Sequence, residues 1–406
     1  MLAPDLRSEV RWLASGYLLN FSSGFGQTYF IALFAGHLKA ELAISDGQFG
    51  GLYTLGTLAS ACLLIWAGKA ADIFPIRWLG VGVMAGLALT ALAMASVANA
   101  WMLAFVLFGL RFFGQGMLTH VAMTAMARWF NRKRGRALSI ASLGLPSSEA
   151  TLPLIIVALI GLVGWRMTWV AVAAALIVLL VPLLIALLKR ERIPTVGGAS
   201  PEHTTRPMHR QWTRGEVIRS PLFYALVPGI LTSPFVLTGI LFNQVTIVEA
   251  KGWQLSWFAA SFPVMAGASI LSALMAGWLV DRFGARRLVA IFLVPIGLAS
   301  LAMAGTANAA FLPVIMAVIG LSLGGSNTVW SAVWAELYGT EHLGAIRALA
   351  TAAVVFASAL SPGLIGALLD AGIALESQLA VMGAACFAVA LWTSALIPRL
   401  NRLAEA

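Results

Sequence analysis

Apolar stretches long enough to cross a bilayer recur along the chain. They run at 12–36, 47–69, 78–98, 101–125, 137–162 and 166–188 and, after a polar interval, at 221–248, 256–280, 287–306, 309–335, 344–370 and 375–398. A helix of about 20 apolar residues spans the hydrocarbon core, so the pattern predicts an all-α membrane protein with twelve transmembrane helices. Six fall in 1–188 and six in 221–406, with 189–220 between them rich in charge, Gly and Pro, as a linker would be. The first run is too long for a signal peptide and lacks a small-residue cleavage site, so it is expected to remain as a spanning helix.

Composition agrees. The 406 residues are 60% hydrophobic and 10% charged, where soluble domains carry about 25% charged residues. The formal net charge of +10 could suggest nucleic-acid binding, but the basic residues stand in short clusters between apolar runs and read as topology. Taking the N-terminus as cytoplasmic, the inner segments hold most of the Lys and Arg, including Arg128, Arg132, Lys133, Arg134, Arg136 and the basic linker. The outer loops keep Lys39, Arg166 and Lys251. Both termini are therefore expected inside, in the inner membrane. Cys62 and Cys386 lie far apart in apolar runs and are read as packing residues. The sequence holds no nucleophile–base pair, metal-ligand cluster or phosphate-binding Gly loop, so neither an enzyme nor a cofactor or metal is expected.

One stretch carries two charges inside the apolar layer. Arg111 lies nineteen residues before Phe130, in the middle of a basic loop, and Glu149 nineteen after it. In an antiparallel helix pair, equal distance from the hairpin means equal depth. Intramembrane charges face a partner or a water-filled path, so the two are expected to sit level and to pair, for packing or for transport.

The halves repeat: Gly109-Leu110 matches Gly320-Leu321 and Arg136-Ala137-Leu138 matches Arg347-Ala348-Leu349, both at an offset of 211. At that offset Arg111 corresponds to Ser322 and Glu149 to Leu360, so the charges belong to one half only. Two pseudo-symmetric six-helix bundles form the plan of a secondary transporter with its site at their interface.

The segment Gly277-Trp278-Leu279-Val280-Asp281-Arg282-Phe283-Gly284-Ala285-Arg286-Arg287 resembles the loop signature of the major facilitator superfamily. A degenerate copy stands at Gly68-Lys69-Ala70-Ala71-Asp72 with Arg77, where Pro75 replaces the second Gly. The resemblance implies a loop latch that closes the cytoplasmic side, with Asp72 and Asp281 set against the helix starts near Gly135 and Gly344. Arg111 followed by Gln115-Gly116 is similar to another superfamily signature, spaced one residue wider, which implies proton transfer. Trp129-Phe130 before the basic cluster, and Gly164-Trp165-Arg166, are similar to the monocarboxylate and oxalate–formate branch. That likeness implies a monocarboxylate-like organic anion held by the guanidinium fork of Arg111, with proton symport and alternating access.

Other polar residues in the spans could line the path or simply bond neighbouring helices. Asn20, Ser23 and Gln27 share one helical face by spacing; Asn243, Gln244 and Asn327 join them, and Trp330 and Trp334 could stack a substrate or fill an interface. His120 reads as a packed polar residue. The expectation is thus a transporter of a small-molecule anion working in the lipid bilayer, coupled to protons and monomeric. Its open alternative is an efflux carrier for lipophilic or cationic compounds, with Glu149 attracting the cation.

Overall fold

A computed structural model describes residues 9–130, 134–189, 211–339 and 341–405, with backbone only at 134 and 401–405. Arg7, Arg132, Lys133 and the linker residues 190–210 lie outside the described residues. Those described are helical, with no strand among them. Lipid offers no hydrogen bonds, so each apolar run must satisfy its backbone internally, as a helix does.

The elements used below are α1 (Val10–Ser22), α2 (Asp46–Ala67), α3 (Ile76–Ala95), α4 (Ala100–Gly109), α5 (Thr119–Trp129), α6 (Arg134–Ser142), α7 (Gly144–Val163), α8 (Trp165–Ala174), α9 (Pro221–Phe242), α10 (Leu255–Phe283), α11 (Leu293–Gly305), α12 (Leu312–Tyr338), α13 (Leu343–Asp370) and α14 (Leu375–Glu405). Ten helices among the described residues are long and apolar enough to cross a membrane.

Two of the twelve expected spans, the first and the ninth, are not among those ten. The first breaks after α1 into a 3-10 turn at Ser23–Gly26, an extended Gln27 (φ −81°, ψ 157°) and a short helix at Thr28–Ile31. Asn20, Ser23 and Gln27 therefore do not form one continuous face. The ninth becomes a regular helix only at Leu293, which puts Pro295 in the first turn, where its missing N–H costs nothing. The linker's described end also departs from a plain loop. Thr213 and Glu216 form a capping box that starts the helix Arg214–Arg219.

The chain divides into an N-terminal and a C-terminal compact unit, the short segment Ser45–Gly51 counting with the second. In the first, Arg166 ties the ends of three segments, bonding Glu41 and the carbonyl oxygens of Ala95 and Val97. In the second, α10 and α12 pack along their length, because a Cβ on Gly320 or Gly324 would overlap the carbonyl oxygens of Met265 or Ser269. Ser322, the counterpart of Arg111, donates to the carbonyl of Phe292, a small neutral bond where the other half has a charge.

Candidate functional site

Arg111 is set by the departures from regular helix around it. Between α4 and α5 the chain winds as a π-helix from Leu110 to Leu118. An i→i+5 turn holds one residue more than an α turn, which suits the widened Arg111-to-Gln115 spacing. Gly114 lies backbone to backbone against Gly26, since a Cβ on either would strike the other helix. The break at Gln27 matters equally. Phe30 and Ile31 both donate to the Gln27 carbonyl, and the Gly26 carbonyl accepts from Arg111 Nη1 at 3.2 Å.

The same nitrogen lies 3.4 Å from Thr28 Oγ1, which is itself 2.6 Å from the Tyr53 hydroxyl. The guanidinium carbon sits 5.1 Å from the Tyr53 ring centroid, a cation–π contact. Arg111 is only 2% exposed, and its Nε is buried without a hydrogen bond. No carboxylate pairs with it among the described residues.

The expected ion pair with Glu149 is therefore not formed. The broken first segment packs against both the π-helix and α7, and it takes the contacts the two charges were expected to make with each other. On its other side Ser148, the neighbour of Glu149, bonds the Tyr29 hydroxyl at 2.9 Å. Gly24 leaves the space for that pair, because its Cβ would strike both Ser148 and Tyr29. Glu149 is half-buried and follows Ser148 on α7. Thr28, which meets Arg111, and Tyr29, which meets Ser148, stand side by side on one short helix.

The remaining predicted polar residues separate into bonded and open ones. Asn20, 1% exposed, donates Nδ2 to the Ala141 carbonyl at 2.9 Å and joins α1 to α6. Asn243 donates to Gly239 at 2.8 Å where α9 ends, and Gln244 is fully buried at the start of the next helix, Gln244–Lys251. Gln27 and Gln115 are half-buried. Asn327 and Trp330 line a cavity of about 290 Å³ inside the C-terminal unit, between α9, α12 and α13. The one charged residue in its lining is Arg347, which sequence reading had assigned to topology and to the internal repeat. The repeat match at Arg136 was the signal that could have marked it.

The loop residues of the superfamily signature also separate. Gly68 accepts from His120 Nε2 at 3.0 Å, Arg77 stacks on Trp78 and Arg282 on Trp278. Asp72 and Asp281 are exposed and have no partner among the described residues, so neither reaches the helix starts expected for it. Glu336, which sequence reading missed, accepts instead from the Ala285 and Arg286 amides, at 2.7 and 3.2 Å. Gly284 turns the chain toward it at φ +81°, which leaves Arg286 and Arg287 in a 3-10 turn.

A many-helix membrane protein with a guanidinium buried among its helices and a cavity holding a second arginine has the features of a membrane transporter. The sequence profile of the Major Facilitator Superfamily matches residues 16–362, and the chain belongs to that family. It is 26% identical over 356 residues to the uncharacterized MFS-type transporter YhjX of Escherichia coli K12, covering 84% of each chain. It is 27% identical over 225 residues to the MFS transporter asaE of Aspergillus flavus, covering 54% of this chain and 48% of that one. Among solved structures, a bacterial homolog of the human lysosomal transporter Spinster matches at TM-score 0.68 and 18% identity, covering 99% of this chain and 98% of its own. The nucleoside transporter NupG matches at TM-score 0.69 and 13% identity, covering 97% of this chain and 99% of its own. At such identities the structures support the fold alone.

Proposed function

We propose that this transporter moves a small organic anion by alternating access, with Arg111 as the anion's counter-ion and Glu149 as the proton-carrying group. The observation that carries the reading is a guanidinium buried in the apolar layer without a carboxylate partner among the described residues. A carbonyl, a hydroxyl and an aromatic face only partly offset the loss of water around it. A substrate carboxylate would supply the missing charge.

Coupling follows from the broken first segment. Arg111 holds Thr28, and Glu149 follows Ser148, which holds Tyr29. Loading the anion and protonating Glu149 thus both act on the helix Thr28–Ile31. Asp72 and Asp281 latch their loops in the other state of the cycle. The basic bias places both termini in the cytoplasm and the protein, as a monomer, in the inner membrane.

The test is uptake of labelled small carboxylates into proteoliposomes under an imposed pH gradient. Glu149→Gln should retain carboxylate binding and lose the pH drive. Unchanged pH dependence in that variant would remove the proton role. Transport of lipophilic cations that survives Arg111→Gln would favour the efflux reading.

A further inference from the structure

The cavity of the C-terminal unit has a composition that no assigned role explains. Arg347, Asn327, Ser331 and Thr351 are exposed along its lining, and no acidic residue is among the lining residues. Arg347 donates Nη2 to Ser331 Oγ at 3.1 Å, and its other donors make no further bond among the described residues. Asn327 and Ser331 stand four residues apart on α12 and so present one face toward Arg347. A single cation beside amide and hydroxyl donors is the chemistry of a carboxylate subsite.

The same face of α12 also carries an aromatic row. Trp330 and Trp334 stack at 5.6 Å, and Trp334 continues to Tyr338 at 6.1 Å, which meets Trp212 at 5.5 Å. Gly229 admits the first indole to α9, because its Cβ would lie 3.1 Å from a Trp330 ring carbon. Both indoles are nearly buried, so only their edges reach the cavity, beside Ile230, Pro234 and Val354. A volume of about 290 Å³ sits at the lower bound of small-molecule sites.

We propose that this cavity is a second substrate subsite, separate from the Arg111 site, for a small monocarboxylate with an apolar body, Arg347 taking the carboxylate and the Trp330–Trp334 surface taking the aliphatic or aromatic group. The proposal rests on the anion reading above and narrows it to amphiphilic acids. Arg347 is a specificity-determining residue in a different unit from Arg111, so the two can be tested apart.

The experiment is calorimetric titration of benzoate, acetate, benzamide and benzylamine into the purified full-length protein. It compares the wild type with Arg347→Gln, Arg347→Lys, Trp330→Leu and Arg111→Gln, each first shown to unfold in one transition. Benzoate should bind the wild type more tightly than acetate, and benzamide and benzylamine should not compete. Arg347→Gln should weaken benzoate about tenfold or more, and Arg347→Lys less. Trp330→Leu should bring benzoate down toward acetate. Because Arg347 is exposed, its loss should leave the fold intact. If Arg347→Gln binds benzoate like the wild type while Arg111→Gln does not, the anion reading survives and this subsite is wrong. If benzamide binds as well as benzoate, the carboxylate claim fails. If benzylamine alone binds, both readings fall.

Discussion

Replacing Arg111 by Met separates a substrate-binding charge from a structural one, because the two roles predict opposite effects on the ligand-free protein. Arg111 makes one bond of 3.2 Å to Gly26 and one of 3.4 Å to Thr28, both long, and one cation–π contact at 5.1 Å. Losing them costs on the order of 1 kcal/mol apiece. Thr28 keeps its bond to Tyr53, so the main group left without its partner is the Gly26 carbonyl. Against that stands the removal of a cation buried without a carboxylate partner among the described residues, which relieves a desolvation penalty of about several kcal/mol. Met fills much of the same volume, so no large cavity opens. The expected outcome is an unchanged or raised melting temperature in detergent, together with loss of the Arg111 carboxylate site by calorimetry while the Arg347 site still binds. Breaking a buried ion pair would instead cost about 3–5 kcal/mol. A melting temperature lowered to that extent would show that Arg111 is satisfied within the fold and would refute the reasoning.

Two further outcomes follow from the packing. Gly324→Ala would push a methyl into the Ser269 carbonyl, a backbone atom that cannot rotate away. The α10–α12 contact must then open, and thermal unfolding should show a loss of about 1–3 kcal/mol or more. A variant as stable as the wild type would refute that tight packing. In the exposed ion pair between Arg166 and Glu41, the hydrogen bond from Arg166 holds the Glu41 carboxyl below its ordinary range. A lowered folded pKa gives stability that is present above the unfolded value, about 4, and lost as pH falls through the folded one. A melting curve followed downward from pH 5 should therefore fall less steeply in Glu41→Gln, and equal slopes would contradict the linkage.

The sequence made the apolar helices and the charge of Arg111 among them legible, but not what surrounds Arg111. Equal spacing from Phe130 predicts equal depth for Arg111 and Glu149, yet depth is one coordinate of three. The broken first segment packs against the helices of both charges, and the break depends on Gly24 and Gly26 fitting close to Ser148 and Leu110, residues far along the chain. The polar face expected from Asn20, Ser23 and Gln27 fails for the same reason. Arg347 was visible only as a basic residue at a helix start, because nothing local shows that Asn327 and Ser331 share its cavity.

By itself, then, the sequence determined that this is an all-helical membrane protein, and which residues would carry charge into its apolar runs. Those properties follow from segment length and hydropathy, since lipid imposes its requirement on each stretch of chain separately. Only the tertiary structure decided which partners charges meet: Arg111 a carbonyl and an aromatic ring, and Glu336, which the sequence left unmarked, two amides of a loop fifty residues away. Contacts of that kind depend on which helix faces approach, which is set by small residues and helix breaks acting across long sequence separations.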